Sequence, residues 1–461
     1  MEEEGDSSPC VQIQSGRLSG RRNTSPRRGG PTPPPAVPHR CLHKIALVTP
    51  RQGVARGIRH QRHPRTVPRT EGRIGPLRRP RGTQTPLPVI EAITDALANP
   101  LANRGRLTAG ERNSEALVQS ARQAMADLLG ADPAGVVFGR SATALTYDFS
   151  RTLAKTWSPG DEVVVSRLDH DSNIRPWIQA AEAAGATVRW ADFDPATGEL
   201  TPDDISTQLG DRTRLVAVTA ASNLIGTRPA IPEISRRVHA AGALLYVDGV
   251  HYTAHAHVDI QQLGADFFCC SPYKFFGPHL GVLASRPELL ETLTPDKLLP
   301  STNAVPERFE FGTLPYEFLA GTRAAVDFLA TLAPGAEGSR RERLASSFTA
   351  LEQYEATLRR RIDEGLAALD PITIHSRAAD RTPTVLLTID GRDTTDAYRH
   401  LASRGVDAPS GSFYAVEASR RLGLGDTGGL RIGLAPYNSA EDVDRLLEAL
   451  ADFLRTPGPR G

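Results

Sequence analysis

Cysteine is scarce in this chain of 461 residues, which has only Cys10, Cys41, Cys269 and Cys270. Their spacing matches no metal-binding motif, and two of them are adjacent, which argues against a framework of disulfide bonds. This usage suits a reducing compartment, and we expect a cytoplasmic protein.

Long apolar segments are also missing from the sequence. No apolar run approaches the roughly 20 residues that a membrane-spanning helix needs. The acidic start Met1–Glu4 is followed by no apolar segment of the kind that a secretory signal contains. We therefore expect a protein that is neither secreted by this route nor embedded in a membrane.

Acidic residues are rare near the start of the chain, although the formal net charge of the whole is only +1. Residues 1–82 carry 17 basic and 5 acidic residues, whereas the remainder carries 37 basic and 48 acidic residues. Residues 1–81 are rich in Arg and Pro and show no helical or strand period, which is typical of a disordered extension or of sequence upstream of the true start. A nucleic-acid-binding arm is the alternative, and the lack of aromatic side chains for stacking argues against it.

Short apolar runs and longer amphipathic segments alternate beyond residue 82. This alternation predicts a mostly parallel sheet covered by helices on both faces. After helices at 88–99 and 114–129, we expect the main strands at 136–138, 162–166, 187–190, 215–219, 244–248, 267–271 and 280–284. A long helix over 337–369 then leads away, so we expect a large domain over 82–335 and a smaller α+β domain over 336–461.

Two side chains near the middle of the chain indicate a cofactor. The apolar run Leu244–Asp248 ends in an acid, and Lys274 follows the next apolar run among aromatic neighbours. A lysine in such surroundings is costly unless it has a task, and desolvation makes its amine a nucleophile suited to imine formation. An Asp that keeps a pyridine nitrogen protonated and a Lys that forms the imine are the two anchors of pyridoxal 5′-phosphate (PLP). The sequence therefore predicts PLP, bound as an internal aldimine at Lys274.

With these motifs in order, residues 82–455 resemble the class V aminotransferases, specifically the cysteine desulfurase-like branch of the fold-type I PLP enzymes. The resemblance implies an α/β fold with a large PLP-binding domain and a smaller C-terminal α+β domain. It also implies a transferase or lyase that acts on a small amino acid, and a homodimer that shares its active site between subunits.

The resemblance further implies a set of cofactor-binding residues. These are Ala142, Thr143, His170, Asn223, Asp248, His251, Ser271, Lys274, Gly312 and Thr313. Ala142 and Thr143 would lie at the phosphate cradle, where helix N-terminal N–H groups bind anions, and Ser271 would add a hydroxyl. Gly312 and Thr313 belong to a loop that would reach the phosphate of the neighbouring subunit.

The remaining roles also follow from the resemblance. His170 would stack on the pyridine ring and join Lys274 as a catalytic residue, while Asn223 and His251 would lie near the phenolic oxygen of the cofactor. Arg431 would clamp the substrate carboxylate, a task that suits the bidentate guanidinium group.

Each of these residues also has an ordinary structural explanation. A hydroxyl before a helix is a common cap, and Asn223 precedes Gly226 as in an Asx turn. His251, His255 and His257 could form a metal triplet, but the stretch lacks the Glu of the zinc-hydrolase helix motif. We therefore expect no metal.

The segment Ala408–Ala415 departs from the family pattern. Group II cysteine desulfurases carry their persulfide-forming cysteine on this loop, and aligning Gly411 with the family glycine puts Tyr414 at that position. Pro409 takes the place of an arginine that the desulfurases keep nearby. Because a persulfide relay needs a thiolate, we expect a protein that is not a sulfur-donating desulfurase.

Several functions remain open from the sequence. Elimination, racemisation and transamination begin with the same substrate–PLP adduct, so a β-lyase, an epimerase and an aminotransferase are alternatives. A non-catalytic PLP-fold protein that binds a partner is a further alternative, and the intact Lys274, Asp248, His170 and Arg431 argue against it.

Overall fold

A computed structural model describes residues 83–456 and, before them, the backbone of the strand Leu77–Arg78. The extension predicted over residues 1–81 otherwise lies outside the described residues. Leu77–Arg78 pairs in parallel with Val406–Asp407, so regular pairing begins ahead of the boundary expected at residue 82.

Strands and helices alternate through the first part of the described chain, in the order that the apolar pattern predicts. The strands are β1 Leu77–Arg78, β2 Val136–Gly139, β3 Glu162–Ser166, β4 Thr187–Ala191, β5 Thr213–Thr219, β6 Leu244–Asp248, β7 Phe267–Cys270, β8 Gly281–Ser285, β9 Ile372–Ile374, β10 Thr384–Ile389, β11 Val406–Asp407, β12 Ser410–Gly411 and β13 Gly429–Gly433. The α-helices are α1 Leu87–Ala98, α2 Ala109–Leu129, α3 Ala142–Ala154, α4 Arg175–Ala184, α5 Pro202–Ser206, α6 Ile231–Ala240, α7 Ile260–Leu263, α8 Pro287–Glu291, α9 Tyr316–Leu329, α10 Arg340–Ala367, α11 Thr394–Ser403, α12 Val416–Arg421 and α13 Ala440–Arg455.

The large sheet of the described chain has seven strands in the order β2-β8-β7-β6-β5-β3-β4. Its strands pair in parallel, except that β8 is antiparallel to both β2 and β7. The prediction of a mostly parallel sheet is confirmed.

Both faces of this sheet are buried, which explains the unbroken apolar runs in its strands. In β3, Val163 and Val165 pack on one face with Phe149 of α3 and Trp177 of α4. Val164 points to the other face, into the core that α2, α6 and α9 share. Because successive side chains alternate between two cores, no polar residue interrupts the strand.

A smaller antiparallel sheet follows the long helix α10, with the order β12-β13-β10-β9. Leu430 and Ile432 of β13 point into its apolar core together with residues of α10, α11 and α13. Arg431 lies between them and pairs in register with Leu386, which belongs to the core of the large sheet. Because successive side chains of a strand point to opposite faces, Arg431 points away from the core of the small sheet and toward the large sheet.

Helix α2 begins at Ala109, five residues earlier than the predicted residue 114. Thr108 and Glu111 form a capping box, in which the Glu111 N–H donates to Thr108 Oγ1 (3.2 Å) and the Thr108 N–H donates to Glu111 Oε2 (3.1 Å). The first turn carries no apolar repeat, so the periodicity alone missed it.

Within the described part of the chain, none of the helices is long and apolar enough to cross a membrane.

Candidate active site

The carboxyl ends of β3, β5 and β6 border a cavity of about 1060 Å³. Ligands in open α/β sheets usually bind at this edge. The region of the smaller sheet closes the other side of the cavity with residues 410–414, Val416 and Arg431. The predicted site residues that line the cavity are Ala142, Thr143, His170, Asn223, Asp248, His251, Ser271, Lys274 and Arg431.

The N-terminus of α3 forms one end of the cavity. Ser141 caps the helix, and its Oγ accepts the Ala144 N–H at 3.1 Å, while Ala142 and Thr143 occupy the first two helical positions. Gly281 allows the close approach, because a Cβ there would lie 2.3 Å from the Ser141 carbonyl carbon. The first turn of the helix therefore offers N–H groups to an anion in the cavity.

Asp248 ends β6 and is buried at the base of the cavity. Burial raises the pKa of its carboxyl to about 6, although the Val250 N–H, which donates to Oδ1 at 2.8 Å, and the charge of Lys274 act in the opposite direction. A cationic N–H partner would stabilise the carboxylate form.

Lys274 lies on a short turn. Hydrogen bonds from Thr83 and Phe276, on either side of the lysine, hold this turn in place. The Thr83 N–H and hydroxyl both donate to the Tyr273 carbonyl, at 3.1 and 3.2 Å, and the Phe276 N–H donates to Thr83 Oγ1 at 2.5 Å. The lysine ammonium lies 5.0 Å from the centre of the Tyr273 ring. Thr83 is thus a supporting residue that the sequence analysis did not identify.

The other lysines that the structure describes lie away from the cavity. Lys155 contacts Asp296 at 2.6 Å, and Lys297 donates to the Ser301 carbonyl at 2.9 Å. Of the described lysines, Lys274 is the one that lines the cavity.

His170 follows β3 and is held as a hydrogen-bond acceptor. Its Nδ1 accepts the Ser172 N–H at 3.0 Å and lies 2.8 Å from Ser172 Oγ. Burial lowers the pKa of His170 to about 4, and the positive charges of Lys274 and Arg431 act in the same direction. The imidazole is therefore neutral near pH 7, with its proton on Nε2.

This lowered pKa predicts a pH-dependent stability. The unfolded chain binds a proton at this histidine below about pH 6.5, whereas the folded chain does so only near pH 4, so the free energy of unfolding falls as the pH drops through this window. From pH 7 to pH 5, the cofactor-free protein should lose on the order of 2 kcal/mol more stability than its His170→Gln variant, as measured by urea unfolding. Equal losses in both proteins would contradict the assignment.

Asp169 is a buried acid that the sequence analysis did not identify. It accepts hydrogen bonds from the Ser166 hydroxyl and, at 2.7 Å, from Asn173 Nδ2. Burial raises the pKa of Asp169 to about 8, and the nearby Asp248 charge acts in the same direction. These contacts fix the loop that carries His170.

Arg431 is buried against the cavity wall, and its orientation is fixed by two neighbours. Its Nη1 donates to the Asn223 carbonyl, and its guanidinium carbon lies 3.6 Å from the centre of the Phe413 ring. The Asn223 side chain donates through Nδ2 to the Phe413 carbonyl at 2.9 Å. These three residues form one cluster between the two sheets.

His251 borders the cavity but contacts residues at or just before the start of β10 in the smaller sheet. Its Nε2 lies 3.0 Å from both Thr382 Oγ1 and Thr384 Oγ1. Its neighbour His255 is buried, with Nδ1 at 2.8 Å from Glu355 Oε2. Among the residues that the structure describes, no group of three or more His, Cys, Asp or Glu side chains could hold a metal ion.

Gly312 and Thr313 are exposed and lie outside the lining of this cavity. Their loop is anchored at Glu310, whose carboxylate accepts bonds from Arg122 Nη1 (3.0 Å), Arg122 Nη2 (2.8 Å) and the Phe138 N–H (2.9 Å). Their predicted contact involves a neighbouring subunit, so it stays a prediction.

Cys269 and Cys270 are buried at the end of β7. Burial raises the pKa values of both thiols well above their ordinary range. Thiols in this state are poor nucleophiles.

The sequence from residue 79 to residue 446 matches the family described as Aminotransferase class-V. This match covers well over half of the chain. The chain belongs to the class-V aminotransferase family. The predicted resemblance is therefore confirmed.

Relatives agree with this assignment. The chain is 32% identical over 376 residues to the uncharacterized protein MT3887 of Mycobacterium tuberculosis, covering 81% of this chain and 94% of the relative. It is 30% identical over 372 residues to the aminotransferase-like protein FGM3 of Gibberella zeae, covering 78% and 89% of the two chains. A crystal structure of the cysteine desulfurase CsdA from Escherichia coli superposes with a TM-score of 0.71 and 27% identity, over 81% of this chain and 92% of that one.

Enzymes of this family depend on PLP, which confirms the predicted enzyme class and cofactor. The cavity fits this group. It offers helix N–H groups for a phosphate, a buried carboxylate for a ring nitrogen and a lysine amine. Asn223 Oδ1 is buried without a hydrogen-bond partner among the described atoms, so it leaves an acceptor for a bound molecule.

Proposed function

We propose that this class-V aminotransferase acts at Cα or Cβ of a small amino acid, with Lys274 as the covalent anchor of PLP and Arg431 as the anchor of the substrate carboxylate. The observation that carries the proposal is that Lys274, Asp248 and Arg431 border one cavity, although Asp248 belongs to the seven-stranded sheet and Arg431 to the four-stranded one. A lysine amine, a buried acid and a fixed guanidinium provide one partner for each charged or reactive end of a cofactor–substrate pair.

The other assigned roles follow from the same cavity. When bound, PLP withdraws electrons from the substrate Cα and so weakens the bonds at that atom. Ala142 and Thr143 at the α3 N-terminus, with Ser271, would hold its phosphate. Asp248 would accept a hydrogen bond from its ring nitrogen.

Proton movement at Cα is assigned to Lys274 and His170. Both line the cavity, and the neutral imidazole keeps Nδ1 occupied as an acceptor for Ser172. The Nε2–H is therefore a hydrogen-bond donor that His170 offers in the cavity, and the Lys274 amine is the group assigned to take and return the Cα proton. Asn223 and His251 are assigned to the rim of the cofactor site.

The reaction type is tested by adding single amino acids to the purified holoenzyme and identifying the products by mass. A β-lyase releases a keto acid, ammonia and the β-substituent, an epimerase inverts Cα, and an aminotransferase leaves a keto acid and aminated cofactor. We expect the visible cofactor absorbance to shift with at least one amino acid. Bound cofactor whose absorbance no amino acid shifts would instead support a non-catalytic binding protein.

A persulfide-forming reaction is disfavoured by the side chains in the cavity. Tyr414 lines it on the loop where desulfurases carry cysteine, and the buried Cys269 and Cys270 do not line it. After treatment with L-cysteine and alkylation, we therefore expect no persulfide on either thiol by peptide mass mapping. A persulfide that is lost together with turnover in a Cys269→Ser or Cys270→Ser variant would restore a desulfurase by a different route.

We also propose that the enzyme is a homodimer and that its large and small domains divide near residue 336. The exposed Gly312 and Thr313, beside the half-exposed Phe311, suit a loop that completes the phosphate site of a second subunit. The mass of the enzyme in solution tests the proposed homodimer, and an active enzyme with the mass of a monomer would contradict it.

A further inference from the structure

The segment Gly411–Ala415 closes the substrate side of the cavity in a backbone conformation that its residues disfavour. Phe413 and Tyr414 have φ angles of 54° and 60°, in the left-handed region that costs most residues about 1–2 kcal/mol each. Glycine would adopt the same backbone without this cost. Because such strain concentrates at functional sites, the two aromatic side chains are candidates for a role in the cavity.

Backbone contacts hold this strained segment against the loops of the large sheet. The Asp171 N–H donates to the Tyr414 carbonyl at 2.7 Å, and Asn223 Nδ2 donates to the Phe413 carbonyl at 2.9 Å. The two donors belong to the loops after β3 and β5. The left-handed backbone at Phe413 and Tyr414 thus directs the carbonyl groups of both residues toward these two loops.

Ion pairs also hold the segment Gly411–Ala415 over the cavity. Glu417, at the start of α12, is mostly buried and pairs with Arg167 (2.8 Å) and Arg175 (2.7 Å) on the large domain. These arginines flank the His170 loop in sequence. The aromatic segment is therefore fixed in place over the cavity.

The two rings contact the two groups on which substrate geometry depends. The Phe413 ring covers one face of the Arg431 guanidinium at 3.6 Å, and this contact restricts the rotation of the group. The Tyr414 ring stacks on the His170 ring, with ring centroids 5.5 Å apart and an interplanar angle of 28°. Tyr414 is 74% exposed and lies at the mouth of the cavity.

Charges at this mouth are already compensated. Arg175 contacts Asp171 at 2.8 Å as well as Glu417, so both signs are neutralised locally. The remaining wall includes Tyr147, Pro176 and Val416 together with the two aromatic rings, and its polar members Gln179, Ser410 and Ser412 are uncharged. A charged substrate side chain would lose hydration here without gaining a partner of opposite charge, whereas an apolar one gains from burial.

We propose that Phe413 and Tyr414 determine substrate specificity: Phe413 positions Arg431 for the carboxylate, and Tyr414 forms an apolar wall that selects amino acids with uncharged, apolar side chains. This inference rests on the proposed function, because it describes the substrate side of the same site. Phe413 is a positioning residue that acts through Arg431.

The test is a titration of holoenzyme, followed by the visible absorbance of the bound cofactor. The probes are L-leucine, the similarly shaped L-aspartate, L-lysine, and isoamylamine, which is leucine without its carboxylate. We expect leucine to half-saturate the wild type at a concentration at least tenfold lower than aspartate or lysine. The Phe413→Gly variant, which also relieves the backbone strain, should raise the half-saturating concentration of leucine at least tenfold. It should leave the half-saturating concentration of isoamylamine unchanged.

Tyr414 is tested by a matched pair of variants. Tyr414→Ala should reduce the preference for leucine over aspartate to less than threefold, while Tyr414→Phe should retain it. Equal binding of leucine and aspartate by the wild type, or unchanged leucine binding in Phe413→Gly, would overturn the inference and leave the proposed function intact. Cofactor absorbance that none of these probes nor any other amino acid shifts would overturn the proposed function itself.

Discussion

Replacing Lys274 with alanine is expected to abolish the visible absorbance of covalently held cofactor and to lower turnover by about 10⁴-fold, the upper end of what a positioned proton-transfer group contributes. The reason is that this amine is assigned both the bond to PLP and the proton at Cα. Lys274 sits on a turn that Thr83 fixes, so the variant should still fold. Absorbance spectra and steady-state rates measure both effects.

Lys155→Ala and Lys297→Ala are the matched controls. Each removes a lysine that contacts the protein surface away from the cavity. Both should keep the wild-type spectrum and rate. A normal spectrum in Lys274→Ala would reject Lys274 as the anchor and remove the basis of the proposed site.

Arg431→Ala is expected to weaken amino-acid binding far more than cofactor binding. Losing the buried guanidinium leaves the substrate carboxylate without its partner, at a cost of about 2–5 kcal/mol, or roughly 30- to 4,000-fold in affinity. The variant leaves the proposed cofactor-binding residues Ala142, Thr143 and Asp248 in place, so the spectrum without substrate should be retained.

The matching amine separates this role from general damage. Because isoamylamine has no carboxylate, a residue that binds the carboxylate should not affect its affinity. Arg431→Ala should therefore bind isoamylamine as tightly as the wild type does. If the wild type bound leucine and isoamylamine equally well, Arg431 would have no role in carboxylate recognition.

The strand framework was predictable because its residues repeat one simple pattern. The run Leu244–Asp248 is apolar up to an acid, and the structure ends β6 at that acid. Val163–Val165 faces two cores, so the strand shows no polar alternation. All of the predicted strands of the large sheet lie within two residues of their positions in the structure.

Long-range contacts account for what the sequence could not predict. Phe413 packs on Arg431, and Glu417 pairs with Arg167, but nothing local in the chain marks either partner. Asp169 reads as an ordinary loop residue until the fold buries it beside Asp248. The role predicted for Gly312 and Thr313 would require a second subunit, so it stays a prediction.

The most direct test of the central claim is to locate the residue that binds PLP. Borohydride reduction of the holoenzyme makes a lysine–cofactor bond permanent, and peptide mapping by mass then identifies the modified residue. The sequence has lysine at positions 44, 155, 274 and 297, so the outcome is unambiguous. We predict the cofactor mass on the peptide that contains Lys274; its appearance on any other lysine, or on none in protein that carries bound cofactor, would contradict the account.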